Sequence, residues 1–118
     1  MARIVNLTTH PITVYAADRP IASWPPSGPL ARLAEIRRDA EPLSTDQGDI
    51  PVTEISYAPE VLDLPAPAAG TAYIVSRVLA AQVRRDDLYF PFDEVRDGAG
   101  RIVGCRGFGR FQEVGDAN

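Results

Sequence analysis

Ten of the eleven prolines lie between Pro11 and Pro67, and no other feature constrains this chain so strongly. Each proline fixes one backbone dihedral and removes one hydrogen-bond donor, so the first half is built from short extended pieces joined by turns. Residues 3–8 and 12–15 are β-branched runs, and Ala17-Asp18-Arg19-Pro20 supplies turn chemistry before residues 21–24. Pro25-Pro26-Ser27-Gly28-Pro29 stops any regular element. Residues 30–38 fit two patterns: Leu30, Leu33, Ala34 and Arg37 have helical spacing, whereas Leu30, Arg32, Ala34 and Ile36 alternate. The strand reading is preferred by a small margin. Residues 39–49 read as a polar loop, residues 50–57 as a strand with Pro51 near its start, and residues 59–70 as a loop packed on the core through Val61-Leu62-Asp63-Leu64.

The proline-poor remainder is more regular. Residues 71–75 are an almost wholly apolar β-rich run, which predicts a central strand. Ser76 is placed to cap a helix running to about Arg85, with Val78, Leu79 and Val83 on one face and Arg84 and Arg85 at the negative end of its dipole. Asp86-Asp87 and Pro91 end it. Gly98-Ala99-Gly100 between residues 94–97 and 101–106 predicts a hairpin, and residues 112–118 read as a disordered tail. The sum is a single α+β domain over residues 1–118, with a mostly antiparallel sheet of about six strands and one principal helix.

Composition limits function. A 118-residue chain with 45% hydrophobic residues is large enough to bury a core unaided. All twelve cationic residues are Arg, and sixteen carboxylates leave a net charge of −4. A net negative domain repels a polyanion at long range, so nucleic acid is an improbable partner. One cysteine and one histidine make neither an internal disulfide nor a usual zinc site, and neither a metal nor a cofactor is expected. No apolar stretch approaches membrane-spanning length, and Met1-Ala2-Arg3 runs directly into a strand-like segment. The expected location is the cytoplasm.

Polar residues cluster in a few places. Asn6, Thr8 and His10 concentrate hydrogen-bonding groups at a strand end, where a scaffold can hold them beside a ligand, although the same residues also suit a turn. Arg85-Asp86 and Arg96-Asp97 flank the aromatic segment Leu88-Tyr89-Phe90-Pro91-Phe92, an arrangement that suits a ring and a phosphate as well as it suits surface ion pairs. Cys105 with His10 is the minimum for a thiol nucleophile and its base, but no nucleophile signature surrounds Cys105. Arg106-Gly107-Phe108-Gly109 opens like an RNA-recognition strand and then puts Arg110 where a stacking aromatic belongs.

These segments give the chain a resemblance to small phage, prophage and actinobacterial proteins that open with a pattern like Asn-Leu-Thr-Pro-His-Pro-Val. Asn6 to Ile12 follow it, with Thr9 in place of the first proline and Ile12 in place of the similar Val. Tyr73 to Ser76 match a Tyr-Ile-Val-Ser segment, Arg85 to Leu88 with Pro91 match Arg-x-Asp-Leu-x-x-Pro, and Arg96-Asp97, Gly100, Ile102, Gly104 and Cys105 match the closing motif. Such proteins are often binders that inhibit a host system or sequester a nucleotide signal, so the resemblance implies counter-defence. The expected function is non-enzymatic binding of a small anionic, nucleotide-like ligand by Asn6, Thr8, His10, Ser76, Arg85, Arg96 and Arg106. The alternative is a protein-interaction or structural accessory protein, anchored on a host protein by Trp24 and Pro25-Pro26; a third reading is a small enzyme using His10 and Cys105. An open sheet edge would be protected in a homodimer.

Overall fold

The computed structural model describes residues 1–112, so most of the segment read as a tail lies outside the described residues. Six strands form the main sheet in the order β1 (Arg3–Asn6), β8 (Thr71–Ile74), β9 (Leu88–Arg96), β10 (Ile102–Gly109), β2 (Ile12–Ala16) and β3 (Arg19–Trp24). Together with one helix, α1 (Arg77–Val83), they make an α+β fold dominated by sheet. The sheet is mixed. The β9–β10 and β2–β3 hairpins are antiparallel, whereas β1–β8, β8–β9 and β10–β2 are parallel. Parallel neighbours require crossovers, and the one from β8 to β9 is α1.

The apolar run of residues 71–75 is the centre of the core, as its sequence predicts: Ile74 and Val75 are fully buried. Val75 and Tyr73 join Leu7, Ala31, Leu79, Ala80, Leu88 and Phe90 in one buried cluster, while Ile74 alternates to the other face of the strand. The sheet curls until its edges meet, because Ser27 N donates to Asn6 O at 2.7 Å and Asn6 bridges Pro26. Gly104 permits the close approach of β2 and β10, since a Cβ there would lie 2.6 Å from both Thr13 O and the Tyr15 ring.

Ser76 caps α1 as predicted, accepting from Leu79 N at 3.2 Å. The helix stops at Val83, earlier than its sequence suggests, because Arg84 turns left-handed (φ 57°) and donates its backbone N–H to Ala80 O. Arg84 and Arg85 therefore lie beyond the last turn, and Val78 is exposed while Leu79 and Ala80 are buried.

The ambiguous segment is a strand, β4 (Arg32–Asp39), paired antiparallel with β7 (Thr53–Leu62). Between them, residues 39–49 are not a loop. β5 (Leu43–Thr45) and β6 (Gly48–Ile50) form a small hairpin, its turn held by Thr45 Oγ1, which donates to Gly48 O at 2.6 Å and accepts from Gln47 N. Residues 50–57 divide at Pro51, Ile50 closing β6 and Thr53 opening β7. β7 then continues through Pro59 into the segment read as a loop, at a point where the register slips between Leu33 and Glu35 and a missing donor is tolerated.

These four strands form an arm. Its base is buried through Leu33 and Ala31, but of residues 36–57 only Ala40 is even half-buried. The radius of gyration is 17.8 Å, against roughly 13–14 Å for a globular chain of this length, and the molecule measures 54 × 42 × 35 Å.

Candidate functional site

The strand-end cluster is built around Asn6, which is 1% exposed. Its Nδ2 donates to His10 O at 2.8 Å and Trp24 O at 3.0 Å, and its Oδ1 accepts from Thr8 N at 2.9 Å and the Thr8 hydroxyl at 2.7 Å. Every polar atom of the side chain is occupied. Asn6 thus fixes the turn of residues 6–10 and ties β1 to the end of β3, and Thr8 works inward with it. Ser76 likewise uses its hydroxyl as the helix cap. His10 is exposed.

The arginines are also engaged, and they are not gathered together. Arg85 meets both oxygens of Asp87 at 2.9 and 2.6 Å, donates to Pro65 O and lies over the Tyr73 ring. That hydrogen bond raises the Arg85 pKa and holds the Asp87 carboxyl below its ordinary value against the opposing effect of burial. Arg96 holds Glu94 at 3.1 Å and Gly100 O at 2.7 Å, and Arg106 reaches Ala17 O at 2.9 Å. Arg85 precedes β9 and Arg96 ends it, which separates them by roughly 30 Å of extended chain. Trp24, read as an exposed anchor, is half-buried with its ring 5.8 Å from that of Phe108. Phe111 packs at 5.1 Å on Phe90, so the rings of the RNA-like segment serve the core.

A cleft of about 500 Å3 opens between β2 and β10, which pair only at Cys105 and Val14. His10, Pro11, Ile12, Pro91, Glu94, Ile102, Val103 and Cys105 line it; none of the arginines does. His10 and Cys105 thus face one cleft, but the thiol is buried, contacts Thr13 O at 3.6 Å, and is pushed up in pKa by desolvation. A buried protonated thiol is a poor nucleophile.

The arm is the feature that sequence reasoning missed. Register places Glu35, Arg37, Asp39, Thr53, Ile55 and Tyr57 on one face, and Ile36, Arg38, Glu54 and Ser56 on the other. Ile36, Leu43, Ile50, Val52, Ile55 and Tyr57 are all exposed. Asp39, Glu41, Asp46, Asp49 and Glu54 make the tip acidic, and residues 39–54 contain no cation. The available signal was the set of apolar residues scattered through a polar stretch with no partner of matching period.

Among the described residues, no helix is long and apolar enough to cross a membrane and no group of three His, Cys, Asp or Glu is placed to hold a metal. Comparison with protein-family models, with curated proteins and with solved structures finds no match for the chain.

Proposed function

We propose that this chain is a non-enzymatic interaction protein: a curled-sheet body that presents the β4–β7 arm to another polypeptide. The observation that carries this reading is the exposure of Ile36, Leu43, Ile50, Val52, Ile55 and Tyr57 on an arm whose outer half has none of the other described residues packed on it. Scattered single apolar residues are ordinary on a surface, but six large ones on the two faces and tip of one projection favour a docking element. Two-stranded ribbons are also marginal alone, so a partner would supply the burial that the body does not. Counter-defence, the role implied by the motif resemblance, would be exercised through this surface, and the compartment would be the cytoplasm.

Thiol labelling tests the docking role, because the natural thiol, Cys105, is buried. Single cysteines at Ile36, Leu43 and Ile55 are labelled with maleimide in dilute purified protein and in the intact cells that make it. Protection of at least one position in cells is expected. Equal labelling at all three in both settings would remove the arm from any interaction.

The cleft favours a second reading, small-molecule binding. Its volume suits a metabolite, but its aliphatic walls with His10 and Glu94, and without arginine, suit a neutral or weakly basic molecule better than the anion anticipated from sequence. A thermal-shift screen separates the two: stabilisation by nucleotides supports the anionic ligand, and stabilisation by small neutral aromatics supports the apolar one.

A further inference from the structure

We infer that the occupant of the arm is a second copy of this chain, added antiparallel along the free edge of β4 with Ile36 on the two-fold axis. The inference rests on the docking role proposed above and names its partner. Among the described residues β4 pairs only with β7 and β7 only with β4, so each strand has an edge whose backbone donors and acceptors meet no other described strand. An exposed edge of this kind accepts another strand.

The side chains select the register. In a symmetric antiparallel pair, residues whose numbers have a constant even sum face each other. Placing Glu35 on the axis sets it against itself. Arg37 on the axis does the same and also sets Glu35 against Asp39; Arg38 again faces its own copy. With Ile36 on the axis, Ile36 packs on Ile36, and Glu35 of each copy lies opposite Arg37 of the other, twice. In the isolated chain these two side chains bond each other at 2.9 Å on an exposed face, so the pairing is exchanged between chains rather than created. The resulting sheet is four strands wide, and Glu35 and Arg37 sit between Tyr57 of one copy and Ile55 of the other.

Two further features favour this edge and direction. Pro59 withholds a donor from β7, and β7 carries no cation to answer Glu54. A parallel pairing would bring the acidic tips together, whereas the antiparallel one carries Asp39, Glu41, Asp46, Asp49 and Glu54 of the two copies to opposite ends. Exposed ion pairs add little affinity, so backbone bonds and the Ile36 contact hold the dimer, while the charges fix its register by excluding others.

Light scattering and sedimentation of the full chain at up to about 100 µM test the inference. The natural chain is expected to be dimeric. Glu35→Arg and Arg37→Glu each create two like-charge pairs and are expected to raise the dissociation constant at least about tenfold. Mixing the two variants restores both opposite-charge pairs and dimerisation, and the double variant E35R/R37E dimerises alone. Unchanged circular dichroism shows that the variants are folded. A monomeric natural chain, or single variants that dimerise as well as it does, overturns the inference. Arm thiols that are protected in cells while the purified chain stays monomeric would overturn the second copy and leave the docking role intact.

Discussion

Replacing Asn6 by Ala tests whether this residue is a structural pin rather than a ligand group. The substitution removes four hydrogen bonds at 2.7 to 3.0 Å from a side chain that is 1% exposed. Two partners recover: the Thr8 hydroxyl already lies 3.1 Å from His10 O and can turn fully to it. Thr8 N and Trp24 O are left without this partner. Two abandoned polar groups together with a small void cost about 2–4 kcal/mol, a large part of the stability of a domain this size. Urea unfolding followed by circular dichroism measures it, with an unchanged slope required for the comparison. The isosteric Asn6→Asp sharpens the result. It keeps the Oδ1 contacts but sets an oxygen against the carbonyls of His10 and Trp24, so the folded-state pKa of the new carboxyl rises above its unfolded value near about 4. The protonated form is the compatible one, and its stability is fully present below the unfolded pKa and lost as pH rises through the folded value. The deficit of Asn6→Asp relative to the natural protein should therefore widen from pH 4 to pH 7. A loss below about 0.5 kcal/mol for Asn6→Ala, or a pH-independent deficit for Asn6→Asp, would refute the pin.

Other contacts give further expectations. The depressed Asp87 pKa contributes stability above the unfolded carboxylate value that is lost as pH falls through the folded one, while Arg85 stays charged. Arg85→Ala should therefore cost about 1–3 kcal/mol at pH 7 and progressively less below about pH 4, as read by thermal melts across pH. Gly104→Ala drives a Cβ into Thr13 O and the Tyr15 ring, so a loss of about 1–3 kcal/mol is expected, with faster amide exchange in β2. Cys105 should resist maleimide in native buffer and react fully in urea, since its thiol is buried and held protonated; rapid native labelling would reopen the nucleophile reading.

What was legible in the sequence was what is decided locally. Residues 71–75 announce a buried strand because every position is apolar or β-branched, and Gly98-Ala99-Gly100 announces its hairpin because the turn needs a left-handed residue, supplied by Gly100 at φ 83°. The parallel pairings of β1 with β8 and of β2 with β10 leave no local trace, since their partners are distant in the chain and meet only through the packing of other elements. The β5–β6 hairpin was invisible for another reason: it is exposed on both faces, so no burial imposes the alternation by which a strand is recognised. Asn6 and Arg85 show the same limit for the site. A side chain able to bind a ligand is equally able to bind backbone, and only the closure of the sheet, which brings Trp24 O to Asn6, decides between them. The arm inverts that logic. Its apolar residues have the pattern of strand fragments awaiting a core, and among the described residues the fold packs nothing on Ile36, Leu43, Ile50, Val52, Ile55 or Tyr57; local pattern and tertiary burial, which agree over residues 71–75, part company here.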